Sequence, residues 1–260
     1  MATPTSESFI RSFARGLTVI EAMGRSGEAH TVSTLATATS LPRTVVRRIL
    51  LTLCELGYVA TDEREFRLTP KILNLGMTYL TSLPFWGHAQ RALEDLCAQI
   101  QESCALTVFD GNVVTYILRI PSRKILSLRL GVGSRIPAYA TSPGRIALAH
   151  LSAAALDTYL KDRQFRRYTP KTVDTAEHLL PLLAEVRQNG YAWVDGEYDE
   201  SVCGLAVPIY DTQRNVVAAL NVNMLSRQIS RDKAVDTKLG PLLEAAHRLD
   251  GIAPAFLRPI

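Results

Sequence analysis

The chain is 260 residues long, 47% hydrophobic, and carries a net charge of +4, enough apolar material for one large or two ordinary domains with real cores. No apolar run reaches the roughly 18 to 20 residues of a membrane helix, and the first twenty residues lack the basic-then-apolar order of a signal peptide, so the cytoplasm is the expected compartment. Cys54, Cys97, Cys104 and Cys203 form no C-x-x-C pair and have no nearby histidine at zinc-ligand spacing, which points away from disulfides and metal and toward reduced, mostly buried thiols; the mild positive charge allows a polyanionic partner without establishing one.

Taken in order, Phe13, Leu17 and Ile20 recur at helical spacing and predict a first helix ending near Gly24, and Val32, Leu35 and Ala36 predict a second beginning around Ser33. The next stretch, LPRTVVRRILLTLCELGYV, predicts a third. At 100° per residue Val46, Ile49, Leu50 and Leu53 share one face of it, while Thr44, Arg47, Arg48 and Leu51 point the opposite way. Pro42 suits the first turn of that helix and Gly57 its C-terminal cap. YVAT and FRL then flank the polar turn Asp62-Glu63-Arg64-Glu65 as a hairpin. Three helices and a hairpin make a winged helix-turn-helix domain, expected over residues 8–72.

The segment PKILNLGMTYLTSL, from Pro70 to Leu83, is too apolar for a free linker and is expected to be a connecting helix, spanning about 73–88, that packs against another subunit. A second domain is expected over 89–255: a helix at Ala89 to Ile100, strands at Ala105 to Phe109 and Val113 to Arg119 around Asp110-Gly111-Asn112, and a strand near Leu126 to Leu130. Helices follow Ser142 and Ser152, and another runs from about Thr175 to Gln188 with Gly190 as its cap. The strands GLAVPIY and VVAALNVNM and a last helix after Ser230 complete an antiparallel sheet with helices packed on it, so the fold class is α+β.

In the first domain, Arg43, Thr44, Arg47 and Arg48 occupy the first half of the third helix, the part that a recognition helix inserts into the major groove. There arginine reads guanine bidentately and threonine contacts phosphate or a thymine methyl. Arg64 and Arg67 in the wing, and Arg11 and Arg15 ahead of the first helix, would serve as flanking phosphate or minor-groove anchors.

The second domain shows no G-x-S-x-G elbow, P-loop, H-E-x-x-H or dinucleotide fingerprint, and His30, His88, His150, His178 and His247 are isolated, so no cofactor is expected. In PAYATSPGRIALAHL, Ser142 is expected to cap a helix begun by Pro143, leaving the amides of Gly144 and Arg145 free at the positive end of the dipole, where a carboxylate could bind. Asn221 and Asn223 share one face of an apolar strand, which is either an edge strand or a buried one whose amides need partners. Asp195, Glu197, Asp199 and Glu200 form an acidic loop expected to be solvated for the most part, with Asp195 lining a pocket. A rival reading makes the second domain an enzyme with the helical module used for protein docking; Cys203 or Asp195 would then be the catalytic candidate, yet neither has a His or Lys partner by spacing.

From about Ser8 to Ala253 the chain resembles the IclR-type bacterial transcription regulators, in FARGLTVIEAM, LPRTVVRRILLTLCELGYV, RLTPKILNLG, GSRIPAYATSPGR, NGYAWVDGE, GLAVPIYD and VVAALNV, found in that order and spacing. The resemblance implies a winged helix-turn-helix domain joined by a helix to a GAF-like effector-binding domain, working as a dimer or dimer of dimers on double-stranded operator DNA. ARGLTVIEAM, RRILLTLCELGYV and PAYATSPGR look most like the branch that controls aromatic-acid breakdown through the beta-ketoadipate pathway, with protocatechuate and 4-hydroxybenzoate among its effectors. It places the effector against Ser142, Pro143, Gly144, Val202, Gly204, Asn221 and Asn223, with Asp195 nearby. The chain departs from members that bind small 2-oxo acids, which commonly have cysteine where Gly204 stands and serines where Asn221 and Asn223 stand. A bulkier effector is expected, the missing side chain at Gly204 leaving room for a ring and the two amides bonding hydroxyls or a carboxylate.

Overall fold

Apolar side chains at helical intervals close over one another in the first of two units, Met1–Ser82 and Leu83–Ile260, to form a single small core. Val19 and Met23 come from α1 (Arg11–Gly24), Leu35 from α2 (Val32–Thr39), and Val46, Leu50 and Leu53 from α3 (Arg43–Glu55). Val59 and Phe66 come from the antiparallel hairpin of β1 (Val59–Asp62) and β2 (Glu65–Leu68). The computed structural model describes residues 8–24, 29–81, 85–122, 130–161 and 163–252.

Local chemistry fixes where these helices begin and end. Thr31 caps α2 and forms a reciprocal capping box with Thr34, and Ser40 closes that helix in the left-handed conformation at φ 55°. Pro42 sits at the cap position of α3, one residue before its first turn, and its carbonyl accepts the amides of Val45 and Val46 at 2.9 and 3.1 Å. At the other end Gly57, at φ +76°, donates to Cys54 and Tyr58 donates to Leu53, both at 2.9 Å. This paired bonding absorbs the last carbonyls of the helix and needs glycine at the left-handed position. Gly-Tyr-Val is therefore the device that stops α3 and turns the chain into the wing. Lys71 adds its ammonium to the Leu56 carbonyl at 2.7 Å, a cation at the negative end of the helix.

A short 3-10 turn, Pro70–Ile72, leads into α4 (Leu73–Thr81), which belongs to the first unit. Its Leu73, Leu75 and Met77 are 64%, 54% and 47% exposed.

The second unit holds α5 (Trp86–Ile100), β3 (Ser103–Asp110), β4 (Val113–Ile120), β5 (Arg135–Pro137), α6 (Ser142–His150), α7 (Ala153–Leu160) and α8 (Ala176–Asn189). They are followed by β6 (Ala192–Asp195), β7 (Val202–Tyr210), β8 (Val216–Leu225), α9 (Arg231–Ala234) and α10 (Gly240–His247). Six strands form one antiparallel sheet in the order β5-β4-β3-β8-β7-β6. β8 is buried at every position but its last, and β7 at all but its ends, so both faces are covered. α6 with α8 covers one face, and α5 with α10 the other.

Two expectations change here. Asn221 and Asn223 lie on β8, between β3 and β7 in the middle of the sheet, so edge placement is excluded. Of the strand expected near Leu126 to Leu130, residues 126–129 lie outside the described residues and Leu130 is in no strand. β5, only Arg-Ile-Pro, is too short to produce an alternation and was not foreseen.

Candidate nucleic-acid face and effector cavity

The amphipathic division of α3 holds atom by atom where it matters. Val46, Leu50 and Leu53 are buried, Ile49 is half-buried, and Arg43, Thr44, Arg47, Arg48 and Leu51 are exposed. The guanidinium groups do not all face one way, however. Arg48 borders an apolar groove between α1 and α3, walled by Phe13, Leu17, Ile49 and Leu56, and Arg15 borders the same groove. Arg43, Thr44 and Arg47 lie outside it. Arg11 and Arg15 stand within the first two turns of α1 rather than ahead of it. Phe13 and Leu17, spaced as a core stripe, are 67% and 44% exposed, because the core takes Val19 and Met23 instead.

Arg64 and Arg67 are both exposed on the wing. The turn they flank carries Asp62, Glu63 and Glu65 as well, and Arg67 lies 3.9 Å from Glu65. An acidic tip of this kind offsets its own attraction for phosphate.

In the second unit a cavity of about 40 Å³ opens between the start of α6 and the strand face, with Tyr116, Ser142, Pro143, Glu197, Val202, Gly204 and Asn223 on its wall. An apolar cavity holding benzene needs about 150 Å³, so admission of a ring requires side chains to part. Five of the sequence-expected positions, Ser142, Pro143, Val202, Gly204 and Asn223, reach the wall.

The start of α6 is built differently from the expected cap. Thr141, not Ser142, is the cap residue, and no side chain bonds the first amides. Arg145 is not free at its amide, which donates to the Thr141 carbonyl at 2.9 Å. Gly144 is not on the wall, and a Cβ there would lie 2.1 Å from the Ala138 carbonyl oxygen, so glycine lets the helix press against the preceding turn. Gly204 serves a similar close approach. A Cβ on it would meet the Ser142 hydroxyl oxygen at 2.6 Å, so the space expected for a ring is already occupied by Ser142.

Asn221 is fully buried behind the wall and donates from Nδ2 to Asn223 Oδ1 at 3.2 Å. Asn221 Oδ1 and Asn223 Nδ2 then remain buried without a partner, a costly arrangement for an interior amide pair. Turning both amides over reverses the bond and again leaves one donor and one acceptor. Asn223 therefore offers the cavity a donor in one setting and an acceptor in the other. Beside them, burial pushes the Tyr116 phenol up, and the nearby amides of Asn223 and Asn221 oppose that shift.

One wall residue, Glu197, belongs to a pair that spacing could not reveal. Arg145 Nη2 donates to both carboxylate oxygens of Glu197, at 2.6 and 2.7 Å, with the two side chains only 4% and 9% exposed. Arg145 Nε reaches the Tyr139 carbonyl, and Glu197 also accepts the Val173 amide. Burial lowers the Arg145 pKa, and Glu197 offsets only part of that shift. Glu197 is thus no solvated loop residue. Asp195 is absent from this wall but lines a neighbouring cavity with Trp193, Glu185 and Arg231, pairs with Lys171 at 2.8 Å, and accepts a hydrogen bond from the Ser226 hydroxyl. Lys171 is the partner that spacing failed to supply, but it makes Asp195 an exposed ion pair rather than a base. Cys203 is buried, and its thiol is pushed up to about 12, chiefly by burial, so it is not a thiolate at neutral pH.

The comparisons with known proteins agree across both units. The sequence profile described as "IclR helix-turn-helix domain" matches residues 12–63, and "Bacterial transcriptional regulator IclR C-terminal" matches residues 77–251. The chain is 37% identical to the Pca regulon regulatory protein of Pseudomonas putida over 92% of this chain and 82% of that protein. It is 31% identical to the p-hydroxybenzoate hydroxylase transcriptional activator of Acinetobacter baylyi, over 94% and 92% of the two chains. Among solved structures, a Rhodococcus sp. RHA1 protein superposes with a TM-score of 0.83 at 35% identity, covering 95% of this chain and all of that one. A double mutant of the PobR inducer-binding domain from Acinetobacter, in complex with 3-hydroxybenzoic acid, superposes with a TM-score of 0.59 at 28% identity, covering 63% of this chain and 95% of that one.

Proposed function

The chain belongs to the IclR family of bacterial transcriptional regulators, and from that premise we propose that it senses a hydroxylated aromatic acid in the Ser142–Asn223 cavity and converts its binding into a change in operator affinity. The observation that carries the proposal is the buried amide pair: Asn223 lines the cavity with an orphaned polar atom that either a phenolic hydroxyl or a carboxylate oxygen would satisfy. The Ser142 hydroxyl, next to Gly204, and the first amides of α6 supply further polar groups on the same wall. The similarity to regulators named for the Pca regulon and for p-hydroxybenzoate hydroxylase, and to a domain crystallised with 3-hydroxybenzoic acid, supports the aromatic class.

On the DNA side, Arg43, Thr44 and Arg47 form the base-reading face, while Arg48 and Arg15, at the apolar groove, and Arg64 and Arg67, on the acidic wing, hold phosphate. The exposed apolar side chains Leu73 and Leu75 of α4 are covered by a second copy of the chain, so that a homodimer, alone or paired, spaces two recognition helices. An effector acts by binding one arrangement of the dimer more tightly than another.

Calorimetric titration of the full chain with 4-hydroxybenzoate, 3-hydroxybenzoate, protocatechuate and, as a control, pyruvate tests the effector class. Saturable binding of at least one ring acid, abolished or weakened in Asn223→Leu, is expected. Binding of pyruvate alone, or of none of the four, overturns it.

A further inference from the structure

A carboxylate entering the cavity needs a cation, and the described wall has none. It carries instead two carboxylates, Glu197 and Asp199. The Arg145 charge is already committed to Glu197. The start of a helix offers about half an elementary charge, too little to balance a third anion brought close to two others in a partly dry site.

One guanidinium on the same sheet face is uncommitted. Strand register puts Arg119 of β4 directly beside Ala105 of β3, and Ala105 directly beside Asn221 of β8. Cross-strand partners project from the same face, so Arg119 and Asn221 share the face that carries the cavity, with only a methyl group between them. Ala105 and Tyr116 pack with Ile136, Leu130 and Tyr198, of which all but Ala105 belong to the cavity wall. Arg119 is half-buried, its Nε is enclosed without a hydrogen-bond partner, and none of the ion pairs among the described residues includes it. Its charge also reaches the Tyr116 phenol, whose pKa it lowers. An Nε–H enclosed without an acceptor is unfavourable until an acceptor arrives.

We propose that Arg119 is the carboxylate anchor of the effector site, reached as the cavity widens past Tyr116 along β4, with the ring lying toward Ser142 and its hydroxyl read by Asn223. The proposal rests on the reading of this cavity as the effector site. It makes Arg119 a specificity residue for acids over neutral ring compounds, since the planar fork of arginine holds a carboxylate by two parallel bonds.

The test is calorimetric titration of the full chain and of Arg119→Met and Arg119→Lys with 4-hydroxybenzoate and with its uncharged methyl ester, with the unfolding midpoint of each variant checked first. Arg119→Met is expected to weaken the acid by about 10- to 100-fold while leaving the ester within about twofold. Arg119→Lys, which keeps the charge and the fold, should fall between. Equal affinity of the wild type and Arg119→Met for the acid, or equal losses for acid and ester, overturns the anchor while the effector reading stands. Failure of the wild-type chain to bind the acid overturns that reading, and the anchor with it.

Discussion

In the first unit Arg43, Arg47 and Arg48 stand in solvent and take part in none of the ion pairs among the described residues, whereas in the second Arg145 is enclosed against Glu197 with both charges nearly dry. The same residue type does opposite work. Exposed and unpaired on a rigid helix, a guanidinium keeps its binding capacity for a polyanion whose own counterions it displaces. Buried and paired, it has spent that capacity on fixing a loop, here the one between β6 and β7 that forms the cavity's flank. A ligand-binding cation must lie between these extremes, half-buried yet uncommitted, which is the position of Arg119.

Removal of one partner of the buried pair should have the largest effect. Glu197→Ala leaves the Arg145 charge without compensation and is expected to destabilise the second unit by about 3–5 kcal/mol, measured by urea denaturation of the full chain. A loss below about 1 kcal/mol would mean that water reaches the pair and that the contrast with α3 is false. Arg47→Ala, by contrast, should leave the unfolding midpoint in place and cost about 1–3 kcal/mol of operator binding, concentrated on one base pair. Fluorescence anisotropy with operator variants reads this; a loss that is equal for all sequences would assign Arg47 to phosphate. Arg67→Ala should have the smallest effect, because its contact with Glu65 is an exposed 3.9 Å pair contributing under about 1 kcal/mol. Its signature is a salt slope of operator binding reduced by about 1, and no change in slope would remove the wing from the interface.

The helix-and-hairpin order of the first unit was legible because each element there carries its own local signal: a 3.6-residue stripe in α3, a proline before it, Gly57 at its end and a polar turn between β1 and β2. Even so, Phe13 and Leu17 share the spacing of a buried stripe and are exposed, since periodicity identifies a face but not what covers it. The cavity proposed for the effector was half legible. Ser142, Pro143, Val202, Gly204 and Asn223 were placed on it through family resemblance, and they do meet on one wall. What the wall lacked in the reading was everything set by tertiary pairing: Glu197 with Arg145, 52 residues apart, Asp195 diverted to Lys171, and Tyr116 brought in across β3. No local pattern marks such partners.

Linkage gives the most direct test of the regulatory mechanism. Operator affinity of the full chain is measured with and without saturating 4-hydroxybenzoate, and the affinity for the acid with and without saturating operator. The two ratios should be equal and lie between about 5- and 150-fold. An acid that binds yet leaves operator affinity unchanged would contradict the coupling of cavity to recognition helix.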